Sequence, residues 1–330
     1  MVKKSKEMII LFVIFGIVLV GIAFLLGGSF YNSRNFVSMG FQIPEFGFLA
    51  LAMSLALLTG GIDLSIIGNM NLSGILAALI LTNQTLLTTA GTAVTVALAI
   101  LVALLFGLIC GALNGILIGF IRIPAMLATI GTMLFYTGIG MAITGGRGVV
   151  GFPEVFMLFG NSRFLGLPIP LLIMFIVFAL VALALELTVW GRSVYLTGNN
   201  YLAALFSGVR TKKTVILTYM IGGLMCGFSA LILISRVNSA RIGYGDTYLL
   251  QAILVSVMGG INPEGGSGKV LGVLVSILIL QSLSSSFTLF AITPYARGLI
   301  YGLMLLIIMI VNYVYGEGSK RSLRKAKTEQ

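Results

Sequence analysis

The glycine-rich segment Gly265–Lys269 is the part of the chain that most resembles a site for nucleotide phosphates. A phosphate loop needs a glycine five residues before the glycine that precedes its lysine, and Ser or Thr after the lysine. Pro263 and Val270 occupy those two positions here. Leu271 stands where a dinucleotide fingerprint that begins at Gly266 needs its third glycine. We therefore expect no nucleotide chemistry from this chain, so any ATP hydrolysis must come from a partner.

The other reactive side chains show no catalytic or metal-binding pattern. The sequence has no histidine, and its nine acidic residues are scattered without the paired spacing of acid–base or metal sites. The two cysteines, Cys110 and Cys226, each lie inside an apolar run, which is typical of small buried side chains. We predict a non-enzymatic chain with no catalytic residue, no metal ligand and no cofactor.

Polar residues inside the apolar runs are the candidates for solute contact. Asp63 follows one such run, and a carboxylate in apolar surroundings must be paired or must cap a helix. We favour capping of the next helix, with contact to a solute or ion as the alternative. Other polar side chains either line a hydrated cavity or bond across helices. The pathway candidates are Asp63, Ser65, Asn69, Asn114 and Gln281.

The polar stretch between Trp190 and Lys213 contains a second candidate site. Residues 200–209 form a short amphipathic pattern with Leu202, Leu205, Phe206 and Val209 apolar. A short exposed helix with an apolar stripe must be covered. Two interpretations remain open, docking into a groove on a soluble partner or rest on the lipid surface.

Composition requires that a bilayer surround these residues. The chain is 58% hydrophobic and 9% charged, whereas soluble domains average roughly 25% charged residues. The apolar runs are long and continuous, so the spans are helical. The sequence predicts an all-α polytopic membrane protein, a single permease domain over residues 1–330 with an uncleaved first helix. The predicted spans are 8–27, 37–58, 66–82, 92–113, 125–144, 168–188, 214–235, 247–259, 270–290 and 295–315, and the eighth is short for a crossing.

The cations predict the orientation. With the N-terminus in the cytoplasm, 14 of the 20 Lys and Arg residues fall inside, including every lysine, which follows the positive-inside rule. This distribution, in short loops, argues against nucleic-acid binding despite the net charge of +11. Residues 317–330 form a basic cytoplasmic tail that lies against lipid. The six outer cations are all arginine, and Arg147 and Arg163, in the largest outer loop, are the candidates for docking an external protein.

Glycine spacing predicts close helix packing. Gly107, Gly111, Gly115 and Gly119 recur every four residues, and the pairs 223/227 and 298/302 repeat the spacing. A moving helix interface is the functional alternative. Residues 59–63 and 258–262 form similar Gly-Gly turns after apolar helices, which indicates duplicated halves.

Three motifs in order resemble the ribose-type permeases, the membrane subunits of sugar ABC importers, a group that includes autoinducer-2 permeases. The first is Gly-Gly-Ile-Asp-Leu-Ser at 60–65, and the last is Gly259-Gly260 followed by the segment 265–269. The middle motif comprises Trp190-Gly191-Arg192, Gly198, Asn200, Ala203 and Ser207-Gly208. The resemblance covers nearly the whole chain, and the segment from 151 to 168 leans toward the autoinducer-2 branch.

The resemblance implies ten helices, a second permease subunit (the same chain or a similar one), two cytoplasmic ATPase subunits and an external solute-binding protein. It also implies that residues 198–209 form a coupling helix seated in the ATPase, with Gly198, Asn200, Leu202, Ala203, Phe206, Ser207 and Gly208 as the coupling residues. Tyr201 stands where family members carry an acidic residue, which favours a specialised ATPase partner. Leu249–Ile253 lacks two family carboxylates, so ribose itself does not follow from the resemblance.

The favoured function is therefore the permease subunit of an ATP-driven importer in the bacterial inner membrane, for a small polar solute such as a simple sugar or autoinducer 2. A stand-alone carrier or channel is the alternative. It needs no docking loop, and a proton-coupled carrier favours membrane carboxylates in relay, which Asp63, Glu186 and Asp246 are too far apart in sequence to suggest.

Overall fold

The computed structural model describes the backbone of residues 2–328 and the side chains of residues 11–311. Within that range the chain is helical apart from short loops and two small two-stranded sheets. The helices are α1 (Val2–Leu26), α2 (Ser33–Leu58), α3 (Ile66–Leu81), α4 (Gln84–Thr89), α5 (Thr92–Gly119), α6 (Ala125–Thr144), α7 (Glu154–Asn161), α8 (Ile169–Leu187), α9 (Val189–Asn199), α10 (Tyr201–Phe206), α11 (Thr211–Val237), α12 (Asp246–Met258), α13 (Val270–Leu289) and α14 (Pro294–Thr328).

Ten apolar helices occur at the ten predicted spans. Eight of those described are long and apolar enough to cross a membrane, while α12 with 13 residues and α3 with 16 are shorter. The predicted shortness of the eighth span is confirmed, and the third span, predicted over residues 66–82, ends one residue earlier and is also short for a crossing. At 1.5 Å per residue α3 is about 24 Å long, less than a hydrocarbon core. Almost all of α3 is buried, so protein rather than lipid satisfies its ends.

A central bundle of α2, α3, α11, α12 and α13 is surrounded by more peripheral helices. In α2, 89% of the most apolar window is buried in protein, compared with 6% in α14. The apolar side chains of α1, α5, α6, α8 and α14 are largely exposed, as expected for helices that contact lipid. The central bundle is therefore the part of the fold that can hold polar groups away from lipid.

The packing of α5 on α11 confirms the glycine prediction. A Cβ atom on Gly111 would overlap the backbone carbonyl of Tyr219, and one on Gly107 would lie 2.5 Å from the carbonyl oxygen of Gly223. These helices approach backbone to backbone because neither has a side chain at the crossing. The pair at 298/302 differs, since a Cβ at either position would meet nothing within 4 Å. Among the residues whose side chains the structure describes, that pair makes no close packing.

The two Gly-Gly turns share one hydrogen-bond pattern, but the pattern falls one residue later in the second turn than the match of residues 59–63 with 258–262 predicts, and the duplication of the halves stays a prediction. The amides of Gly60 and Gly61 donate to the carbonyls of Leu57 and Ala56 at the end of α2. The amides of Gly260 and Ile261 donate to Val257 and Ser256 at the end of α12 in the same way. Gly60 and Gly260 have φ of 80° and 84°, the left-handed conformation that such a helix cap requires. The side chains Ser54 and Ser256 join the two helices, with their hydroxyl oxygens 2.8 Å apart.

Small sheets close the opposite end of the molecule, which is the predicted outer face. Strand β1 (Val149–Val150) pairs with β4 (Ser239–Ala240), and β2 (Arg163–Phe164) pairs with β3 (Leu167–Pro168), both antiparallel. The outer loop predicted between the fifth and sixth spans is therefore structured, with α7 inside it.

Candidate functional site

The stretch between α8 and α11 consists of two consecutive helices, α9 and α10, where the sequence predicted one helix over 200–209. Asn200 separates them, and its side-chain oxygen accepts a hydrogen bond from the amide of Ala203 at 3.0 Å, which caps the start of α10. The amides of Gly208 and Val209 donate to Leu205 and Ala204 and end it. The helix is shorter than predicted because both caps lie inside the predicted range.

The outward face of α10 is apolar. Leu202 and Phe206, one turn apart, are 61% and 87% exposed, and Ala203 and Ser207 beside them are also exposed. Ala204 faces the protein and is buried. Exposed apolar side chains on the spans meet lipid, but α10 lies between spans and is followed by Arg210, Lys212 and Lys213. Covering a side chain such as Phe206 is worth about 1.5–3 kcal/mol, so this surface favours binding to another apolar surface.

Asp63 forms a turn ahead of α3. Its Oδ1 accepts hydrogen bonds from the amide and hydroxyl of Ser65, at 3.0 and 2.7 Å. This is an Asx turn immediately before the helix, not a bond to the amides of its first turn. Asn114 donates to the hydroxyl of Ser65 at 2.6 Å, so α5 supports the same turn. The arrangement agrees with a structural role for Asp63 at the start of α3.

The other pathway candidates are buried and bonded within the chain. Asn69 donates to the carbonyl of Gly107 at 3.1 Å, and Gln281 donates to Gln42 at 3.0 Å. Asn114 retains one buried oxygen, Oδ1, without a hydrogen-bond partner. The structure brings Asp63, Ser65 and Asn114 into one cluster, whereas Gln281 bonds a different helix, α2. Their contact with a solute stays a prediction.

A buried ion pair between α2 and α11 was not predicted. Glu45 is 4% exposed, and its carboxylate pairs with the guanidinium of Arg236. Its second oxygen accepts a hydrogen bond from Tyr248 of α12 at 2.7 Å, and Arg236 also donates to the carbonyl of Phe41 at 3.2 Å. Arg236, one of the six predicted outer cations, lies in the last turn of α11 with its side chain 23% exposed and is paired within the chain. The available signal was a single glutamate within an apolar run of α2.

Two arginines line one cavity at the predicted outer face. Arg163, on the β2–β3 hairpin, lies over the ring of Phe41 with its guanidinium carbon 5.7 Å from the ring centroid. A cavity of about 320 Å³ opens here, lined by Ser33, Arg34, Val37, Ser38, Phe41 and Arg163. The cavity joins Arg163 to Arg34 and does not include Arg147, which is exposed after α6. A pair of guanidinium groups beside hydroxyls suits a carboxylate.

Comparison with known proteins agrees with these features. The family described as branched-chain amino acid transport system / permease component matches residues 35–309. The ribose import permease protein RbsC of Bacillus subtilis (strain 168) is 32% identical over 297 residues, 89% of each chain. RbsC of Escherichia coli (strain K12) is 33% identical over 300 residues, 90% of this chain and 91% of that protein.

A second group of relatives is named for a different solute. The autoinducer 2 import system permease protein LsrD of Yersinia enterocolitica is 30% identical over 270 residues, 80% of this chain and 79% of that protein. No solved structure matches the chain.

Proposed function

We propose, from the premise that the chain belongs to the family of branched-chain amino acid transport system / permease components, that it is the membrane subunit of a binding-protein-dependent ABC importer. Its solute is a small polar molecule, a simple sugar or a sugar-like signal such as autoinducer 2, since the similar permeases are named for ribose and for autoinducer 2. The chain itself contributes no catalytic step.

The observation that carries this proposal is α10. A six-residue helix capped at both ends, with Leu202 and Phe206 exposed outside the spans, is suited to a groove on a soluble protein. The small side chains of Ala203 and Ser207 allow close approach to that groove. We assign the groove to an ABC ATPase, whose closure on ATP moves α10 and tilts the helix bundle between inward- and outward-open states.

The predicted outer and cytoplasmic faces suggest the remaining partners. The arginine-lined cavity and Arg147 receive an external solute-binding protein, and a second permease subunit completes the pathway. The cation distribution supports an orientation in the bacterial inner membrane with both termini in the cytoplasm. Basic residues at the cytoplasmic surface contact anionic lipid.

The test is copurification of the ATPase together with uptake in vesicles. Ala203→Trp and Phe206→Asp should each reduce ATPase copurification by about tenfold or more, since each change disrupts an apolar surface that must be fully covered. Leu165→Asp is the matched control, because Leu165 is 89% exposed on the β2–β3 hairpin at the opposite face. The wild-type complex should take up radiolabelled ribose or autoinducer 2 in an ATP-dependent manner.

The two α10 variants are compared with the wild type at matched membrane levels. If both keep wild-type ATPase copurification and wild-type uptake per ATP, α10 does not couple ATP hydrolysis to transport. Uptake by the purified chain without any ATPase would instead favour a stand-alone carrier.

A further inference from the structure

Three segments of the chain meet backbone to backbone beside α10, and each contributes glycine. They are the end of α2 at 58–60, the end of α9 at 198–199, and the α12–α13 loop at 265–266. The amide of Gly266 donates a hydrogen bond to the carbonyl oxygen of Leu58 at 3.0 Å. We call this meeting point of the three segments the glycine junction.

The contacts at the glycine junction exclude side chains. A Cβ atom on Gly198 would overlap the carbonyl oxygen of Leu58 and lie 2.6 Å from the amide nitrogen of Gly266. A Cβ atom on Gly265 would lie 2.7 Å from both the carbonyl oxygen of Gly198 and the Cα atom of Gly60. Real Cβ atoms do not approach so closely, so each of these positions requires glycine as long as the backbones remain in contact.

The α12–α13 loop is held in shape and is attached to α9 a second time. The amide of Asn262 donates to the carbonyl of Ser267 at 3.0 Å, and that of Gly265 donates to Asn262 at 2.9 Å. The hydroxyl of Tyr195 in α9 donates to the carbonyl of Gly268 at 3.1 Å. A displacement of α9 therefore acts on this loop at two points. The glycine-rich segment that resembled a phosphate loop has this packing role instead.

The glycine junction lies one residue from α10 along the chain, because only Asn200 separates α9 from α10. On its other side it contacts α2, the most buried of the candidate spans, and the loop between α12 and α13. The direct covalent route from α10 through residues 207–210 leads to α11 alone. The junction is thus a second route, and it reaches three other helices of the central bundle.

We propose that the glycine junction transmits displacement of α10 to α2 and to the α12–α13 loop, with Gly198 and Gly265 as positioning residues for the coupling of ATP hydrolysis to transport. The proposal rests on the proposed function, because it requires an ATPase on α10. A Cβ at the junction separates the three backbones while leaving the outward face of α10 unchanged.

The experiment uses the full permease–ATPase complex and hydrogen exchange with and without a non-hydrolysable ATP analogue. In the wild type, nucleotide should change exchange at residues 58–65 and 259–269. In Gly198→Ala the ATPase should still copurify, but the nucleotide-dependent change in both segments should fall by about tenfold, within the usual range of coupling between sites. This readout requires no knowledge of the solute.

Matched controls separate coupling from crowding or strain. Gly191→Ala is equally crowded, since its Cβ would overlap the carbonyl of Leu185, but it lies at the other end of α9. Gly265→Ala and Gly260→Ala both place alanine at positive φ, 94° and 84°, yet only position 265 is crowded. We expect Gly191→Ala and Gly260→Ala to retain the nucleotide response.

An unchanged nucleotide response in folded Gly198→Ala would overturn the proposal, as would equal loss in Gly191→Ala. If Gly198→Ala does not accumulate, Tyr195→Phe decides, because it removes a single hydrogen bond and should weaken the response at 259–269 by about two- to tenfold. A wild-type response in Tyr195→Phe would then count against the junction. Absence of any copurifying ATPase in the wild type would overturn the proposed function instead.

Discussion

Polar side chains in the central bundle are arranged to hold helices together. Glu45 connects α2 to both α11 and α12 through Arg236 and Tyr248, and Ser229 of α11 donates to the backbone carbonyl of Glu45 as well. Because lipid cannot satisfy a carboxylate, Arg236 and Tyr248 keep the charge compensated inside the protein, while Ser229 attaches the backbone of α2 to α11. The ion pair therefore fixes the relative position of three helices of the bundle.

Removing one partner of this pair should destabilise the protein more than removing both. Arg236→Ala leaves the Glu45 carboxylate buried and uncompensated, which costs about 3–5 kcal/mol. We expect a loss of monodisperse protein and a lower Tm in detergent for Arg236→Ala, with partial recovery when Glu45→Gln is added. Arg241→Ala is the control, since Arg241 is exposed five residues further along. Equal Tm values for Arg236→Ala and Arg241→Ala would contradict a structural role for the pair.

At the scale of helices, the interface of α5 with α11 is the closest packing that glycine spacing predicted. Glycines on both helices allow backbone carbonyls of one to contact Cα atoms of the other. Such an interface does not tolerate larger side chains, because the added volume forces the two helices apart. The α12 cap, by contrast, depends on conformation and not on volume, since no described atom lies within 4 Å of a Cβ at Gly260.

Whether a glycine-to-alanine substitution stabilises or destabilises the protein should therefore depend on the helix in which the glycine lies. Gly111→Ala should destabilise the protein by about 1–3 kcal/mol, because the added methyl group meets the backbone of α11. Gly131→Ala, in α6 with nothing within 4 Å, should be neutral or stabilising by about 0.5–1 kcal/mol through helix propensity. Thermal unfolding of the two variants in the same detergent measures the difference. A Gly111→Ala protein as stable as Gly131→Ala would show that α5 and α11 are not in close contact.

The sequence predicts features that depend on neighbouring residues better than features that depend on contacts between residues far apart in the chain. The span positions and the α5–α11 glycines followed from local periodicity, which hydrophobicity and spacing record directly. The helix α9 was missed because packing against other segments of the chain, not its local sequence, decides it. The Glu45–Arg236 pair joins residues 191 positions apart, and a single sequence carries no sign of such a partner. For the same reason Arg34 was not linked to Arg163 in advance.

At the scale of the whole molecule, the two faces differ in the chemistry they offer. The predicted cytoplasmic face presents apolar side chains on α10, flanked by cations, and the predicted outer face presents arginines around a cavity. An apolar surface favours a lasting complex, whereas exposed charges favour rapid and salt-dependent encounters. This difference suits a resident ATPase on one side and a binding protein that arrives and leaves on the other.

Charge reversal at the outer cavity should weaken association with the binding protein. Arg163→Glu and Arg34→Glu should each raise the Kd at low salt, with about a tenfold effect for the double variant, and the effect should shrink as salt screens the charges. Arg147→Glu tests the third outer candidate separately. Arg192→Glu, on α9 at the opposite face, is the control. Unchanged affinity at low salt in the double variant would exclude the cavity as a docking site.

The buried ion pair also has a consequence for how the protein is made. Glu45 enters the membrane with α2, but Arg236 is synthesised 191 residues later, which takes about 10–40 s at ordinary rates of translation. Throughout that interval an intramembrane glutamate lacks its counter-ion. We expect α2 to remain beside the insertion machinery, or beside water, until α11 emerges. Assembly of the central bundle would then follow the order of synthesis, in which α11 supplies the counter-ion and α12 and α13 are added after it.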